Sequence, residues 1–316
     1  MTNVSMAAGR AERQTVFRSF PSVPRNVKAY FFLAPAVMVF SVLVLYPIAH
    51  SIWISFFDMT GADLFSASNK AEWVGLSNYL ELLEDPRFHV SVQNTLLWFC
   101  LFMLALPAGL GIALLVNQTA PGVWLYRSLF FFPFVISQVV VGLIFTWFYD
   151  PRFGLVGKLW DWMGATPPAI LGEPGLVNFG LIAAGLWPQT AFCALIYLTG
   201  LCNLSQDQIE AARLDNAKGW KLLRYIILPQ LRSATFIAFL VTAIGALRSY
   251  DLIVIMTDGG PYGSSRVLSY FMYEQALSEY GTRQGYGAAI AVVLFLLTMT
   301  VLSIFIWRTL KSEAED

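Results

Sequence analysis

The sequence predicts an all-α membrane protein: six transmembrane helices, both termini cytoplasmic, and a cytoplasmic helix-turn-helix between the fourth and fifth helices. Three observations carry that expectation: an apolar composition, six long apolar segments, and an uneven distribution of basic residues. Of 316 residues, 57% are hydrophobic and 13% charged, against about 45–50% and 25% in soluble domains. Aromatic residues make up 15% of the chain and gather at the ends of the apolar runs, where interfacial belts place them.

Residues 1–29 carry Arg10, Arg13, Arg18, Arg25 and Lys28 without a sustained hydrophobic period, and read as a flexible cytoplasmic tail. A secretory signal is the rival reading. The next apolar run, about Tyr30 to Phe57, is far longer than a signal core and lacks a small-residue cleavage site. Six segments can cross about 30 Å of hydrocarbon: Tyr30–Trp53, Val92–Val116, Ser128–Phe148, Phe179–Leu201, Ala234–Thr257 and Tyr286–Trp307. Pro35, Pro47, Pro107, Pro133 and Pro188 lie inside them, so kinked helices are expected. One membrane domain, 30–307, follows the tail and includes the loop 202–233; residues 308–316 form a cytoplasmic C-terminal tail.

Basic residues set the orientation. The tail, the 117–127 loop, the 202–233 loop and the C-terminal end together hold thirteen, whereas the alternate loops hold six: Lys70, Arg87, Arg152, Lys158, Arg266 and Arg283. The positive-inside rule then puts both termini and the 202–233 loop in the cytoplasm. The outer loops are acidic and turn-rich, and are either structured caps or plain connections. Caps are favoured, because Phe65, Trp73, Tyr79, Trp160 and Trp162 would have no use in a tether.

Within 202–233, Ser205 and Gln208 form a capping-box pair, flanked by Leu204 and Ile209 as a hydrophobic staple. A helix is expected from Gln206, carrying Glu210, Ala211 and Ala212 to Asp215. Asn216 and Gly219 then supply an elbow. Trp220, Leu223 and Ile227 fall at helical spacing in a second run, which Pro229 ends by pushing Leu228 out of the helical region.

Chemistry is sparse. There is no phosphate loop, no GxSxG elbow, and no cysteine, histidine or carboxylate cluster at metal-ligand spacing, so neither a catalytic nor a metal site is expected. The odd set Cys100, Cys193 and Cys202 implies no disulfide framework and reads as apolar packing. Arg248 and Asp251, three apart in the fifth segment, are expected on one helical face. They face a wet cavity, or they pair with each other to fix packing. Asn94, Gln138, Gln189, Thr190 and Tyr250 suit interhelical hydrogen bonds. Taken together beside Trp187, they also suit a sugar, whose hydroxyls need donors and acceptors and whose ring faces stack on aromatics. An arginine in that cavity would favour an anionic sugar.

Glu210-Ala211-Ala212-Arg213-Leu214-Asp215-Asn216-Ala217, then Trp220 and Ile227-Leu228-Pro229, closely resembles the EAA loop of binding-protein-dependent ABC importer permeases, whose pattern is EAAxxDGA and then IxLP. The resemblance covers nearly the whole chain and narrows to the carbohydrate branch, similar to maltose and glycerol-phosphate importer permeases. Supporting stretches are Leu33-Ala34-Pro35 with Tyr46-Pro47, Val74 to Tyr79, Asn94-Thr95, and Tyr250-Asp251 leading to Thr257-Asp258-Gly259-Gly260-Pro261. One departure is Asn216, where the family has glycine; asparagine is the next best residue for a left-handed turn.

The resemblance implies a carbohydrate importer in the bacterial inner membrane. Its parts would be a second permease chain, making a heterodimer, two ATPase subunits that bind the ATP-Mg, and an extracytoplasmic solute-binding protein. This chain would hold no cofactor. Membrane lipids and a carbohydrate are the other expected partners, and nucleic acid is not. Glu210, Ala211, Ala212, Asp215, Asn216, Ala217, Gly219, Leu228 and Pro229 would couple to the ATPase. A secondary transporter or channel working without ATP is the alternative reading, and it leaves the capped loop without a task.

Overall fold

Prolines, polar breaks and small residues decide how the helices of this chain run. The computed structural model describes residues 25–59, 71–118, 121–278 and 283–315. Arg10, Arg13, Arg18, Phe65 and Lys70, used in the sequence reading, lie outside the described residues. Two units are distinguished, Met1–His50 and Ser51–Asp316.

In the first unit, α1 (Arg25–Phe40) begins inside the expected tail and continues through a π-helical turn, Ser41–Leu45, into α2 (Tyr46–Ile54). The Tyr46 N–H reaches back to the Ser41 carbonyl. That wide turn comes one residue before Pro47, whose ring lacks an N–H and would crowd the carbonyl four residues upstream.

The second unit opens with a short antiparallel ladder, β1 (Phe57–Asp58) against β2 (Glu72–Trp73), which the all-α expectation did not contain. Asn78 of α3 (Ser77–Glu84) secures the β1 end by donating to the Ser55 and Phe57 carbonyls, each at 2.9 Å. Asp85 then caps α4 (Pro86–Phe102), accepting the Arg87 N–H at 2.9 Å with Pro86 in the first helical turn. This cap starts the second segment six residues before the expected Val92. The segment continues after a turn as α5 (Ala105–Val116).

Next come α6 (Val123–Val135), α7 (Gln138–Phe148), α8 (Leu155–Trp162) and α9 (Val177–Cys202). They are followed by α10 (Gln206–Leu214), α11 (Trp220–Leu222), a second π-helical turn at Leu223–Ile227, and α12 (Leu228–Gln230). The chain closes with α13 (Arg232–Leu247), α14 (Asp251–Met256), α15 (Leu268–Ala276) and α16 (Gln284–Glu315). The last helix thus extends through the expected C-terminal tail.

Among the described residues, four helices are long and apolar enough to cross a membrane: Phe32–Ile54, Pro86–Val116, Val177–Cys202 and Gln284–Thr309. The count reaches the expected six only when two bent pairs are taken as one span each. The third segment is not one kinked helix. Extended backbone at Ile136 and Ser137 turns α6 and α7 through 102°, and the Ser137 hydroxyl caps the new helix at Val140 N. The fifth segment is interrupted as well, between Leu247 and Asp251.

α9 is the centre of the second unit and packs against α4, α5, α6, α7, α13 and α14. Small residues allow this: Ala184, Ala191, Ala194 and Cys193 on α9 and Ala105 and Ala113 on α5 are all fully or almost fully buried. At Gly109 of α5, a Cβ would come within 2.5 Å of Cys193 Cβ and 2.8 Å of the Ala194 nitrogen. Cys193 is therefore the packing residue the sequence suggested. Around α9, one apolar cluster holds Trp98, Phe102, Leu181 and Ile253, and another holds Tyr197, Leu198, Leu201 and Leu231. A third, with Leu82, Phe88, Phe271 and Tyr286, ties α3 to α15 and α16.

Candidate functional site

Two places in the second unit gather the residues singled out in the sequence. The first is a polar cavity of about 200 Å³ at the interruption of the fifth segment. Its wall contains Gln138, Gln189, Arg248, Tyr250 and Asp251, five of the seven pathway candidates. Non-helical backbone at membrane depth is tolerated where it lines such a cavity, and two helix breaks meet here. Gln138 is the first residue after the α6–α7 bend, and Arg248–Tyr250 is the gap between α13 and α14.

Arg248 and Asp251 do not share a helical face as the spacing suggested. Arg248 is the C-terminal cap of α13, and Asp251 is the first residue of α14. Each sits at the helix end whose dipole suits its charge. No ion pair joins them among the described residues, and both are exposed. The gap is held from outside: Ser269 Oγ donates to the Ser249 carbonyl, and the Tyr250 ring meets Tyr273 edge-on at 5.2 Å. Gln189 is fixed from α13, donating to Thr242 Oγ1 at 2.7 Å. Gly245 and Ser249 complete the polar side of the wall. Sequence reasoning passed over both, although each lies within three residues of Arg248.

Asn94 and Trp187 lie elsewhere. Asn94 is buried and donates to the Ser264 and Arg266 carbonyls, both at 2.7 Å, while its oxygen accepts from Asn178 Nδ2 at 3.1 Å. Its neighbour Thr95 accepts the Leu268 N–H at 3.0 Å. The Asn94-Thr95 pair thus pins the turn that leads into α15. Trp187 stands edge-on to Phe145 at 5.8 Å and, with Thr190, lines a separate apolar pocket.

The second place is the elbow between α10 and α12. As expected, α10 starts at Gln206, with Ser205 Oγ accepting the Gln208 N–H at 3.5 Å. The other half of the capping box is supplied differently: the Ser205 N–H donates to Gln230 Oε1, which ties the start of α10 to α12. At the far end, Asn216 has φ +59°, its N–H bonds to the Arg213 carbonyl, and the Ala217 N–H bonds to the Ala212 carbonyl at 2.9 Å. This is a complete Schellman closure with asparagine in the left-handed position. Gly219, at φ +55°, starts the return run.

Pro229 does not end that run. Leu228 keeps helical angles, and its N–H reaches the Leu223 carbonyl through the second π-helical turn, so the helix passes through the proline. The bend comes later, at Leu231, where α13 departs at 74°. Ala212 faces inward. Glu210, Ala211, Asp215 and Asn216 face out, with Leu214 at 89% and Trp220 at 71% exposure.

Beyond the other end of α9, about 39 Å along its 26 residues, charged pairs hold the loops. Arg283 makes two 2.6 Å bonds to Glu81, and this pairing holds the Glu81 carboxyl below its ordinary value. Burial raises the Asp85 carboxyl, but hydrogen bonds from Arg87 and Tyr286 outweigh it and leave a net lowering. Arg266 grips Glu274 through two 2.7 Å bonds. These loops are folded caps, with Trp73 meeting Phe57 edge-on at 5.1 Å.

A multi-pass helical membrane protein whose bent helices meet at a polar cavity, and which presents a rigid capped elbow at one end, has the architecture of a transport permease. Comparison with known proteins narrows this. Residues 89–312 match the family described as binding-protein-dependent transport system inner membrane component, and the chain belongs to that family. It is 30% identical to the sulfoquinovosyl glycerol transport system permease protein of Agrobacterium fabrum, over 88% of this chain and 89% of that one. It is also 30% identical to the alpha-glucoside transport system permease protein of Rhizobium meliloti, over 93% and 85%. A solved bacterial ABC transporter involved in import of the acidic polysaccharide alginate contains a chain of the same fold, with a TM-score of 0.75 at 19% identity, covering 91% and 96%. The chain is thus the permease subunit of an ABC importer, a multi-pass inner-membrane protein with sugar-transport relatives.

Proposed function

We propose that this chain forms half of the pathway of an ATP-driven carbohydrate importer and that the α10–α12 elbow is its coupling joint. Both termini and the elbow are cytoplasmic in this reading, as the distribution of basic residues requires. Separate ATPase subunits bind ATP-Mg, dock on the exposed face around Glu210, Ala211, Asp215 and Ala217, and move the elbow as they close. A solute-binding protein delivers the sugar to the opposite end, where the caps held by Glu81–Arg283 and Arg266–Glu274 lie. A second, different permease chain completes the pathway.

The observation that carries this reading is the Schellman closure at Asn216 together with the Ser205–Gln230 tie. A joint transmits motion only if its own shape holds while its docking differs between states. From the elbow, motion passes through α12 and the bend at Leu231 into α13, and α13 ends at Arg248 on the cavity wall. One element thus connects the docking face to the cavity, where Gln138, Gln189, Arg248, Tyr250 and Asp251 would meet solute. Arg248, with no ion pair among the described residues, favours a sugar carrying an acidic group. The sulfonated solute in one relative's name accords with that preference.

The test is to replace Glu210 with Lys and Ala217 with Asp in the whole transporter. Both variants are expected to insert in the membrane but to lose transport and ATPase association. Normal uptake by both would refute the coupling role.

A further inference from the structure

Three spans begin or end beside α3: the first closes at Ile54, the second opens at Pro86 and the last opens at Gln284. α3 is bonded at all three places. The Tyr79 and Ser55 hydroxyls share a 2.6 Å bond, Asp85 caps the second span and accepts from Tyr286 Oη at 3.0 Å, and Glu81 pairs with Arg283. The helix therefore lies level with the span ends, at the boundary between hydrocarbon and water. With about 100° between residues, its surface divides into three sides. Asn78 and Leu82 are buried against the protein. Ser77, Glu81 and Glu84 form an exposed polar side. Leu76, just before the helix, joins Leu80 and Leu83 on the third side, and these leucines are 62%, 63% and 62% exposed. Trp73, three residues ahead of Leu76, is exposed as well, with the Trp53 ring at 5.8 Å and the Phe56 ring stacked on it at 5.6 Å.

We infer that α3 is an interfacial helix whose leucine side is seated in the lipid surface, at the headgroup–acyl boundary of the leaflet opposite the elbow. Continuity with the spans selects this occupant. Leu83 stands three residues before Pro86, where the second span starts, and an amphipathic helix at that depth lies in the interface plane with its apolar face in lipid. Trp53 and Trp73 beside it are the ring type that collects at the same level. A protein neighbour within the membrane fits less well. Packing between spans relies on small residues that let backbones approach, as Gly109 does against Cys193 and Ala194, and the leucine side has none. A soluble partner would meet the polar side instead. Lipid contact on one side then steadies a helix that, on the others, clamps the start of the last span through Glu81 and Asp85. The inference uses the membrane placement of the chain and is independent of the coupling role and of the solute.

The experiment places a photoreactive diazirine amino acid at Leu80 or, separately, at Ser77 in the intact transporter, reconstituted in vesicles of phosphatidylethanolamine and phosphatidylglycerol. Adducts are identified by mass. Phospholipid adducts at Leu80 are expected to exceed those at Ser77 by about tenfold, or about 1.4 kcal/mol, near the lower bound for burying one leucine side chain. A third probe at Leu76 is read with and without the Leu80→Gln, Leu83→Gln double substitution. Its phospholipid adducts should fall about tenfold in the double variant. All four positions are exposed, so the probes and the glutamines leave the packed side of the helix intact. Equal phospholipid adducts at Leu80 and Ser77, a Leu76 signal unmoved by the double substitution, or polypeptide adducts at Leu80 in place of lipid, marking a protein neighbour, would each overturn the inference.

Discussion

The elbow at Asp215–Gly219 and the gap at Arg248–Tyr250 both interrupt helices, and they are built in opposite ways. The elbow is closed by its own backbone: the bonds from Asn216 and Ala217 return to Arg213 and Ala212, within five residues. The gap is held by Ser269, twenty positions away, and its surroundings come from α4, α7, α9 and α13. A turn closed by local bonds keeps its shape whatever its neighbours do. A turn held by a distant hydroxyl changes when that neighbour moves. In the proposed cycle these are the two properties required, one for the joint and one for the pathway wall.

The comparison can be broken from either side. The largest effect is expected at the elbow, where Asn216→Val puts a β-branched residue at φ +59°, costing about 1–2 kcal/mol. Uptake and solute-stimulated ATP hydrolysis should fall about fivefold to thirtyfold, while Asn216→Gly behaves as the parent; equal behaviour of the two variants would show that the left-handed closure does not govern transport. At the cavity, Arg248→Gln should reduce uptake of an acidic sugar about tenfold, consistent with a charge-assisted bond of about 1.5–3 kcal/mol, and spare a neutral analogue. Loss of both alike would return Arg248 to a structural role.

Smaller effects sharpen the contrast. Ser269→Ala leaves the Ser249 carbonyl without its donor and should cost about 1 kcal/mol, seen as a lower Tm in detergent. No comparable single side chain holds the elbow's left-handed closure, where the bonds are backbone to backbone. The smallest effect concerns the Glu81–Arg283 pair, whose side chains are 48% and 38% exposed. The Glu81 carboxyl is held below its ordinary value, so its contribution is present above that value and disappears as pH falls through the lowered one. Glu81→Gln should therefore lower stability by less than about 1 kcal/mol at pH 7. At pH 3 the difference from the parent protein should shrink, as a pair of thermal melts would show.

The same contrast explains what the sequence revealed. The α10 start at Gln206 and the turn at Asn216 follow from signals within a few residues, Ser205 with Gln208 and the left-handed tolerance of asparagine, and both are where they were expected. The fourth span was legible for a similar reason, an unbroken apolar run. The bend at Ile136–Ser137 and the gap at Arg248–Tyr250 were not, because hydropathy continues straight across them and what stabilises them is tertiary. The early start of α4 had a local signal, Asp85 before Pro86, that apolarity alone overlooked. The pathway candidates divided along the same line. Gln138, Gln189, Arg248, Tyr250 and Asp251 meet only because two bends bring them together, whereas Asn94 proved to be a bracket for the Ser264–Leu268 turn.

The π-helical turn at Leu223–Ile227 has a consequence for phase. Each residue of an α-helix advances the side-chain direction by about 100°, so the extra residue held in this wide turn sets the rotation of everything after it relative to the elbow. Removing one residue between Leu223 and Ile227 could keep the length of the run almost unchanged, yet it would swing α12 and its exit at Leu231 by more than a quarter turn. The exposed face of the elbow, where docking is proposed, and the cavity wall are thus set in phase by a single inserted residue placed just ahead of Pro229.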